Sequence, residues 1–319
     1  VRPLSSAGPC PAPATGLRHE ALFHAGTGGF LEAAVPLARE AISAGEPILI
    51  MVSPARINAL RERLGDSEGV SYADMREVGR NPARIIPAWR DFVDRHAGSP
   101  RLHGIGEPIW AGRSAAALAE CHLHEALLNV AFADGPDFRL MCPYDTQSLE
   151  PAELARARHT HPILVEQGSA GDSRDYRERD VVDAGFGEPL SEPPAGAPQL
   201  RFHGQAGVGE VRAFLRAALE PPTLAGERLD DLLLAASEVA TNSICHGGGG
   251  GTARVWQEPD GVVCEIRDDG RIGDPLVGRH RPGPDQIGSW GLWIANQMCD
   301  LVQVRTSARG TAVRMHLAD

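Results

Sequence analysis

Ser237-Glu238-Val239-Ala240-Thr241-Asn242-Ser243-Ile244-Cys245-His246 closes an apolar-periodic run that begins near Glu227. The period predicts a helix on which Glu238 and Asn242, four residues apart, share one face, one turn from each other. A carboxylate that orients a nucleophile and an amide oxygen that ligands a hard cation are the pair needed for magnesium-assisted phosphoryl transfer. An ordinary amphipathic helix with a wet polar side has the same pattern, so these ten residues alone leave both readings standing. The sequence downstream decides between them.

A glycine run, Gly247 to Gly251, ends the helix. Two strands are expected next, Thr252 to Glu258 and Val262 to Arg267, joined by Pro259-Asp260-Gly261, whose Asp-Gly is a hairpin signal. The second leads into Asp268-Asp269-Gly270-Arg271-Ile272-Gly273. A carboxylate at a strand end, followed by glycines that let the backbone come close, is placed to accept a hydrogen bond from the exocyclic amine of adenine. By itself Asp-x-Gly is a common turn. After a polar, Gly/Pro-rich stretch from Asp274 to Ile287, Gly288-Ser289-Trp290-Gly291-Leu292-Trp293-Ile294-Ala295 runs straight into a helix. Backbone amides at such a helix start hold phosphate by geometry and dipole. Two strands, Leu301 to Thr306 and Thr311 to Leu317, joined by Ser307-Ala308-Arg309-Gly310, complete the segment, and a helix from about Val208 to Leu219, broken at Pro221-Pro222, precedes it.

No single piece is diagnostic, but the order is. Helix with Glu-x-x-x-Asn, hairpin, Asp-x-Gly, lid, Gly-x-x-Gly-Leu helix and final hairpin with Gly-Thr resemble the Bergerat ATP-binding fold of gyrase, a heat-shock chaperone, histidine kinases and the mismatch-repair protein MutL. Within that group residues 200 to 319 look most like the bacterial anti-sigma-factor serine/threonine kinases, whose first motif ends in Asn-x-x-x-His-Gly, here Asn242 to Gly247. The resemblance implies ATP and Mg2+, with Glu238 as general base or nucleophile-orienting residue, Asn242 as magnesium ligand and Asp268 as adenine contact. Gly270 and Gly273 would shape the pocket floor, Gly288, Gly291 and Leu292 would cover the phosphates, and Thr311 would lie near the base. His246 either caps the helix or faces the phosphates, the cap being favoured. Two departures stand out: the second glycine comes as Asp-x-Gly-x-x-Gly, one residue late, and Trp290 places a bulky indole where it would narrow the lid.

The whole chain sets the frame. At 319 residues it has room for two cores, and 25 prolines with 36 glycines predict many loops and a linker. The net charge of -11 argues against nucleic acid as the main partner. Six scattered cysteines with no Cys-x-x-Cys pair write neither a zinc knuckle nor a dithiol site, so reduced thiols are expected. With no apolar signal-peptide core near the start and no stretch of eighteen apolar residues, a cytoplasmic protein away from membranes is expected.

Residues 1 to 16, rich in Pro and Ala, read as a disordered arm. From there to about Val165 helices alternate with short apolar strands: a helix over Phe30 to Ser43, a strand over Pro47 to Val52, and helices over Ala55 to Leu64 and Pro82 to His96. A strand over Leu102 to Ile105, a helix over Ser114 to Phe132 and a strand over Phe138 to Cys142 follow. That alternation predicts an α/β domain, a mostly parallel sheet covered on both faces. Pro36 should lie in the first turn of its helix or kink it. Residues 168 to 199, where Gly, Ser, charged residues and Pro dominate, read as a linker, solvated or partly helical.

Ala44-Gly45-Glu46-Pro47, Gly106-Glu107-Pro108-Ile109-Trp110, the helix with Glu120 and Glu125, and Leu140-Met141-Cys142-Pro143-Tyr144-Asp145 make residues 17 to 167 similar to a sensory (MEDS) domain. That domain is named after the regulator of dichloromethane metabolism in methylotrophs and also occurs in methanogens. The resemblance implies a RecA-like core, usually without a working phosphate loop, that senses small molecules or partners. Here His24-Ala25-Gly26-Thr27-Gly28-Gly29-Phe30 lacks the Gly-Lys-Ser/Thr ending and reads as a plain loop and helix start. Glu107 and Trp110 either line a pocket or pack in a turn. Among His103, His122, His124, His159 and His161, with Cys121 and Cys142 nearby, His122 and His124 are two apart and cannot share a helix face. Satisfied or exposed histidines are therefore expected ahead of a metal or haem site.

No phospho-accepting helical hairpin is found upstream of the ATPase segment, and no transducer domain after it. The expectation is a cytoplasmic regulator, possible as a homodimer, in which the first domain senses a ligand or partner and biases a C-terminal ATP-dependent kinase. The kinase would act on a Ser or Thr hydroxyl of an anti-sigma antagonist, with a sigma factor as the other partner. The alternative is a non-catalytic, ATP-responsive module that sequesters a sigma factor or other protein.

Overall fold

A computed structural model describes residues 16–65, 67–219, 224, 226–283 and 290–318. The arm expected over 1–16 lies outside these residues except for Gly16.

The first half runs β1 (Leu17–His24), α1 (Gly26–Ala44), β2 (Ile48–Val52), α2 (Pro54–Leu64), β3 (Val70–Asp74), α3 (Met75–Val78), a 3-10 turn (Pro82–Arg84) and α4 (Ile85–Arg95). It continues with β4 (Leu102–Gly106), α5 (Ala115–Ala131), β5 (Phe138–Asp145), α6 (Pro151–Thr160), β6 (Ile163–Glu166), β7 (Ser169–Asp172) and α7 (Glu178–Gly187). The strands form one sheet in the order β3-β2-β4-β5-β1-β6-β7, parallel except for β7, which pairs antiparallel with β6.

Both faces of this sheet are covered, as the helix-strand alternation predicts. Along β2 the side chains of Ile48, Ile50 and Val52 join Phe30, Leu37 and Leu60 of α1 and α2, while Leu49 and Met51 face the opposite core around Trp89, Phe92 and Leu127. A strand buried on both sides has no use for a polar residue, so β2 is a continuous apolar run. In β4 the glycines have a steric reason: a Cβ at Gly104 or Gly106 would stand 2.9 Å from the Trp89 indole. α1 begins four residues earlier than expected, which puts Pro36 inside the helix rather than in its first turn. Pro36 is on the exposed side, where the carbonyl it leaves without a partner faces water.

The stretch 168–199 is not a bare linker. It supplies β7 to the sheet and α7 between the domains, where Gly185 lies so close to Leu123 that a Cβ would meet its Cδ1 at 2.8 Å. Its last part lies on the second domain: Arg314 donates to the Ser191 carbonyl at 2.6 Å.

The second half contains β8 (Gln199–His203), α8 (Gly207–Ala218), α9 (Glu227–His246), β9 (Gly250–Glu258), β10 (Gly261–Asp268), α10 (Trp290–Met298), β11 (Leu301–Ser307) and β12 (Gly310–Leu317). Its sheet is antiparallel, ordered β11-β12-β10-β9-β8. Leu215, Ala236, Val239 and Ala295 of the helices pack on Val255, Cys264, Val313 and Met315 of the sheet. This α/β sandwich is consistent with a Bergerat fold. Glu258 pairs with Gly261, leaving Pro259-Asp260 as the turn that the Asp-Gly signal predicts.

Candidate functional site

The end of α9 and the end of β10 meet around a cavity of about 270 Å³. Asn242, His246, Asp268, Gly270, Gly273, Leu292 and Thr311 line it, so most of the residues picked from the sequence converge there. Glu238 is half-buried one turn before Asn242 and is not among the lining residues. Gly288 lies outside the described residues.

Asp268 is held from two sides. Ser243 Oγ donates to its Oδ2 at 2.6 Å and the Gly270 N–H to its Oδ1 at 2.8 Å. Each carboxylate oxygen keeps a second lone pair, so a fixed acceptor remains available to a ligand donor. The backbone around it admits no side chains. A Cβ at Gly247 would collide with the Asp268 carboxyl, and one at Gly270 would stand 2.7 Å from the His246 carbonyl oxygen. Thr311, paired in register with Asp268, donates from Oγ1 to the Gly270 carbonyl at 2.9 Å and fastens the Asp-x-Gly turn to β12. Gly310 at the neighbouring hairpin has φ +106° and a Cβ there would strike the Asp268 carbonyl, which accounts for glycine in the Gly-Thr pair.

Gly273 behaves differently from Gly270: no heavy atom lies within 4 Å of the place a Cβ would take. The glycine that comes one residue late is thus exposed on an open floor and not wedged under a ligand position. Gly291, the second residue of α10, is buried against Asn242, and a Cβ there would come 2.6 Å from Asn242 Nδ2. Trp290 is half-buried at the helix start and is absent from the cavity lining. His246 does not cap α9. The helix is closed by the Gly247 N–H donating to the Ser243 carbonyl at 2.9 Å, which leaves the His246 side chain exposed at the cavity.

Sequence reasoning passed over Ser243 and the apolar wall made by Val239, Ile272, Val277 and Val313. A serine next to Asn242 carries no spacing signal, because its partner Asp268 is 25 positions away. The apolar residues read as ordinary core.

The first domain grips the same site from behind. Arg84 donates to the carbonyls of Asn296, Gln297 and Cys299 at 2.7, 2.6 and 2.8 Å, satisfying acceptors that the C-terminal end of α10 leaves open. Asn81 donates to Asn296 Oδ1 at 3.1 Å, and Asn296 in turn donates to the Gly278 carbonyl at 2.9 Å. The next residue, Arg279, is buried and lies 3.4 Å from Glu120 of α5; burial pulls its pKa down and Glu120 opposes that. Val277 and Leu292 of the cavity wall therefore belong to a segment and a helix that the first domain fastens.

Within the first domain the glycine-rich loop is closed off as a phosphate site. The Gly26 N–H at the start of α1 donates to Asp145 Oδ1 at 2.9 Å, so an internal carboxylate takes the place of an anion. Glu107 is buried and pairs with Arg56 at 2.6 Å; burial lifts its pKa to about 7 against the pull of Arg56. Trp110 lies under Arg113, whose guanidinium is 3.6 Å from the ring centroid. His103 pairs with Glu46 at 2.6 Å and His122 pairs with Glu153, each through Nε2, while the buried Nδ1 of each has no hydrogen-bond partner, so the expectation of satisfied histidines is met at one ring nitrogen only. His161 and Cys142 depart from that expectation and converge with His19 and Glu125 in the core.

Comparison with protein-family models places residues 18–162 with the MEDS family, the methanogen/methylotroph, DcmR sensory domain, and residues 204–317 with the histidine kinase-like ATPase domain. A comparison with curated proteins found no match. The first match covers the sensory sheet from β1 through β5 and α6, leaving β6, β7 and α7 outside it, and the second covers its sheet except for β8. The chain is an N-terminal MEDS sensory domain followed by a histidine kinase-like ATPase domain.

Proposed function

We propose that the protein is a cytoplasmic signalling regulator in which the sensory domain, residues 17–167, controls an ATP-dependent serine/threonine kinase of the anti-sigma-factor type, residues 200–319. The observation that carries this reading is the convergence of Asn242 and a doubly anchored Asp268 on one cavity whose other walls are tied to the sensory domain. At about 270 Å³ the cavity suits a nucleoside, with the phosphates emerging on the Asn242 side. Asp268 accepts from the adenine amine, and Gly270 and Thr311 shape the seat of the base. The amide oxygen of Asn242 would hold Mg2+ beside the phosphates. When bound, Mg2+ neutralises phosphate charge as the γ-phosphoryl group moves.

Glu238, a turn behind Asn242, orients the hydroxyl of a Ser or Thr on an anti-sigma antagonist in line with that group. The hydroxyl oxygen bonds to the γ-phosphorus, the bond to the ADP oxygen breaks, and the hydroxyl proton passes to a carboxylate or water. The position of Glu238 outside the cavity lining favours a second reading, a module that binds ATP and sequesters a sigma factor without transfer.

Radiolabelled ATP with candidate antagonist proteins tests the first reading. Magnesium-dependent transfer to a partner hydroxyl, lost in Glu238→Ala with ATP affinity retained, is the expected result. Binding of a sigma factor with no transfer in the wild type supports the second and overturns the kinase.

A further inference from the structure

Four potential ligand side chains meet in the core of the sensory domain, far from any role assigned above. They are His19 on β1, Glu125 on α5, Cys142 on β5 and His161 just after α6, all buried, with one ligand atom from each lying within 4.8 Å of the others. His19 Nε2 is 3.0 Å from Glu125 Oε2 and 3.3 Å from Cys142 Sγ. His161 Nε2 is 3.3 Å from the same carboxylate oxygen, and Cys142 Sγ is 3.5 Å from it. A tetrahedral ion with bonds of about 2.0 Å to nitrogen and oxygen and about 2.3 Å to a single sulfur separates its ligands by roughly 3.3–3.5 Å. The separations observed already lie near that range.

The hydrogen bonds outside the cluster fix which ring nitrogens face inward. His161 Nδ1 is 2.9 Å from the Ala157 carbonyl, which can only accept, and 3.0 Å from Thr160 Oγ1, whose hydroxyl donates to the same carbonyl at 3.2 Å, so Nδ1 carries the hydrogen. His19 Nδ1 is 3.1 Å from Asn129 Oδ1, and Asn129 is oriented by donating from Nδ2 to the Thr160 carbonyl at 2.8 Å. His19 therefore also carries its hydrogen on Nδ1. Both imidazoles then aim Nε2 lone pairs at a carboxylate, electron pair against electron pair in a buried place. His161 Nε2 and Glu125 Oε1 are buried with no hydrogen-bond partner. A cation at the centre, bound by Glu125 through Oε2, satisfies the two Nε2 atoms together.

We propose that His19, Glu125, Cys142 and His161 form a tetrahedral site for a divalent transition-metal ion of borderline softness, Zn2+ by preference. Two imidazoles and a thiolate select against Mg2+ and Ca2+, which take oxygen ligands. On binding, the Cys142 thiol gives its proton to solvent as the sulfur joins the ion, so one carboxylate and one thiolate balance the two positive charges in the core. Asn129 and the Ala157 carbonyl hold the two rings as outer partners, the arrangement metal-bound histidines usually have. The site stands on its own geometry and does not depend on kinase activity in the second domain.

The test uses the full chain, stripped with a chelator and titrated with Zn2+ and then with Co2+. The expected result is one tightly held equivalent, with the visible absorption of tetrahedral Co2+ and a thiolate-to-cobalt band in the near ultraviolet. Both should be lost in Cys142→Ser and at least tenfold weakened in His161→Gln. Cys245 and His246, adjacent and exposed, are the place an adventitious ion would choose, so Cys245→Ser should leave the spectrum unchanged. Failure of the wild type to hold an equivalent overturns the proposal and leaves protons as the occupants. So does a spectrum that survives Cys142→Ser or vanishes in Cys245→Ser. Should the core variants not fold, the wild-type stoichiometry and the Cys245→Ser control still decide.

Discussion

Glu120 and Arg305 bind the two domains through a buried ion pair: a carboxylate oxygen on α5 lies 2.7 Å from a guanidinium nitrogen on β11, and Arg279 reaches the other oxygen at 3.4 Å. A buried guanidinium and a largely buried one share one anion. Removing the anion leaves both guanidinium groups without compensation, a loss of about 3–5 kcal/mol by the usual behaviour of broken buried pairs. Glu120→Ala should therefore lower the urea midpoint of the full chain. Since Arg279 lies two residues after Val277 of the cavity wall, ATP affinity should change severalfold as well. A variant with the wild-type midpoint and the wild-type affinity would remove this pair from any account of coupling.

Arg84 makes a different kind of contact, three hydrogen bonds to the open carbonyls at the end of α10. A planar fork can serve three acceptors at once, and an ammonium on a flexible stem cannot hold the same geometry. Arg84→Lys should keep the charge but loosen the helix end. Hydrogen exchange of the α10 amides is expected to speed up by about tenfold for each 1.4 kcal/mol lost, with the exchange of the sensory sheet unchanged. Equal protection of α10 in the two proteins would count against the clamp.

Asp268 and Gly291 allow the two halves of the nucleotide site to be probed separately. Asp268→Asn keeps the shape but loses a charged acceptor, and a hydrogen bond to a charged group contributes about 1.5–3 kcal/mol, or roughly 10- to 150-fold in affinity. This loss should be the same with and without magnesium. Gly291→Ala puts a methyl 2.6 Å from Asn242 Nδ2 and must displace the amide, so its loss should be confined to magnesium-dependent binding. Calorimetric titration of an ATP analogue with Mg2+ or with a chelator separates the cases. The assignment of Asn242 to magnesium fails if Gly291→Ala weakens both conditions equally.

Where side chains follow one period, the sequence was readable. β2 is apolar throughout because both its faces are covered, and α9 repeats its buried positions at helical spacing. β1 was not readable as a strand, although it lies between β5 and β6 near the middle of the first sheet. Leu17-Arg18-His19-Glu20-Ala21-Leu22-Phe23-His24 looks polar, yet three of its four polar members, His19, Glu20 and His24, are buried: His19 lies beside Glu125, Cys142 and His161, and Glu20 pairs with Arg139 at 3.1 Å. Buried polar pairings interrupt the hydrophobic pattern there. The candidate site was legible for the opposite reason. Asn242, Asp268, Gly270 and Gly291 are fixed by backbone approach and strand ends at short sequence distances, while the Ser243 anchor and the grip of Arg84 and Glu120 join residues too far apart in the chain to leave a local spacing.

Glu107 gives a pH signature that belongs to the sensory domain alone. It follows β4, is 7% exposed, and has its pKa lifted from 4.5 to about 7, first by burial and against the opposing charge of Arg56. In the unfolded chain the same group ionises near 4.5, so between these values the folded protein holds a proton that the unfolded chain has released. Stability then falls as pH rises through that window, and above about 7 the loss is complete because both states are ionised. Glu107→Gln cannot ionise and should lack this slope. Its melting temperature relative to wild type should rise between about pH 5 and about pH 7.5, whatever the fixed cost of losing the Arg56 pair. The comparison removes every other titrating group, since both proteins share them. A difference that stays constant over the window would mean that Glu107 ionises in the folded protein where an ordinary glutamate does, and that Arg56 outweighs burial.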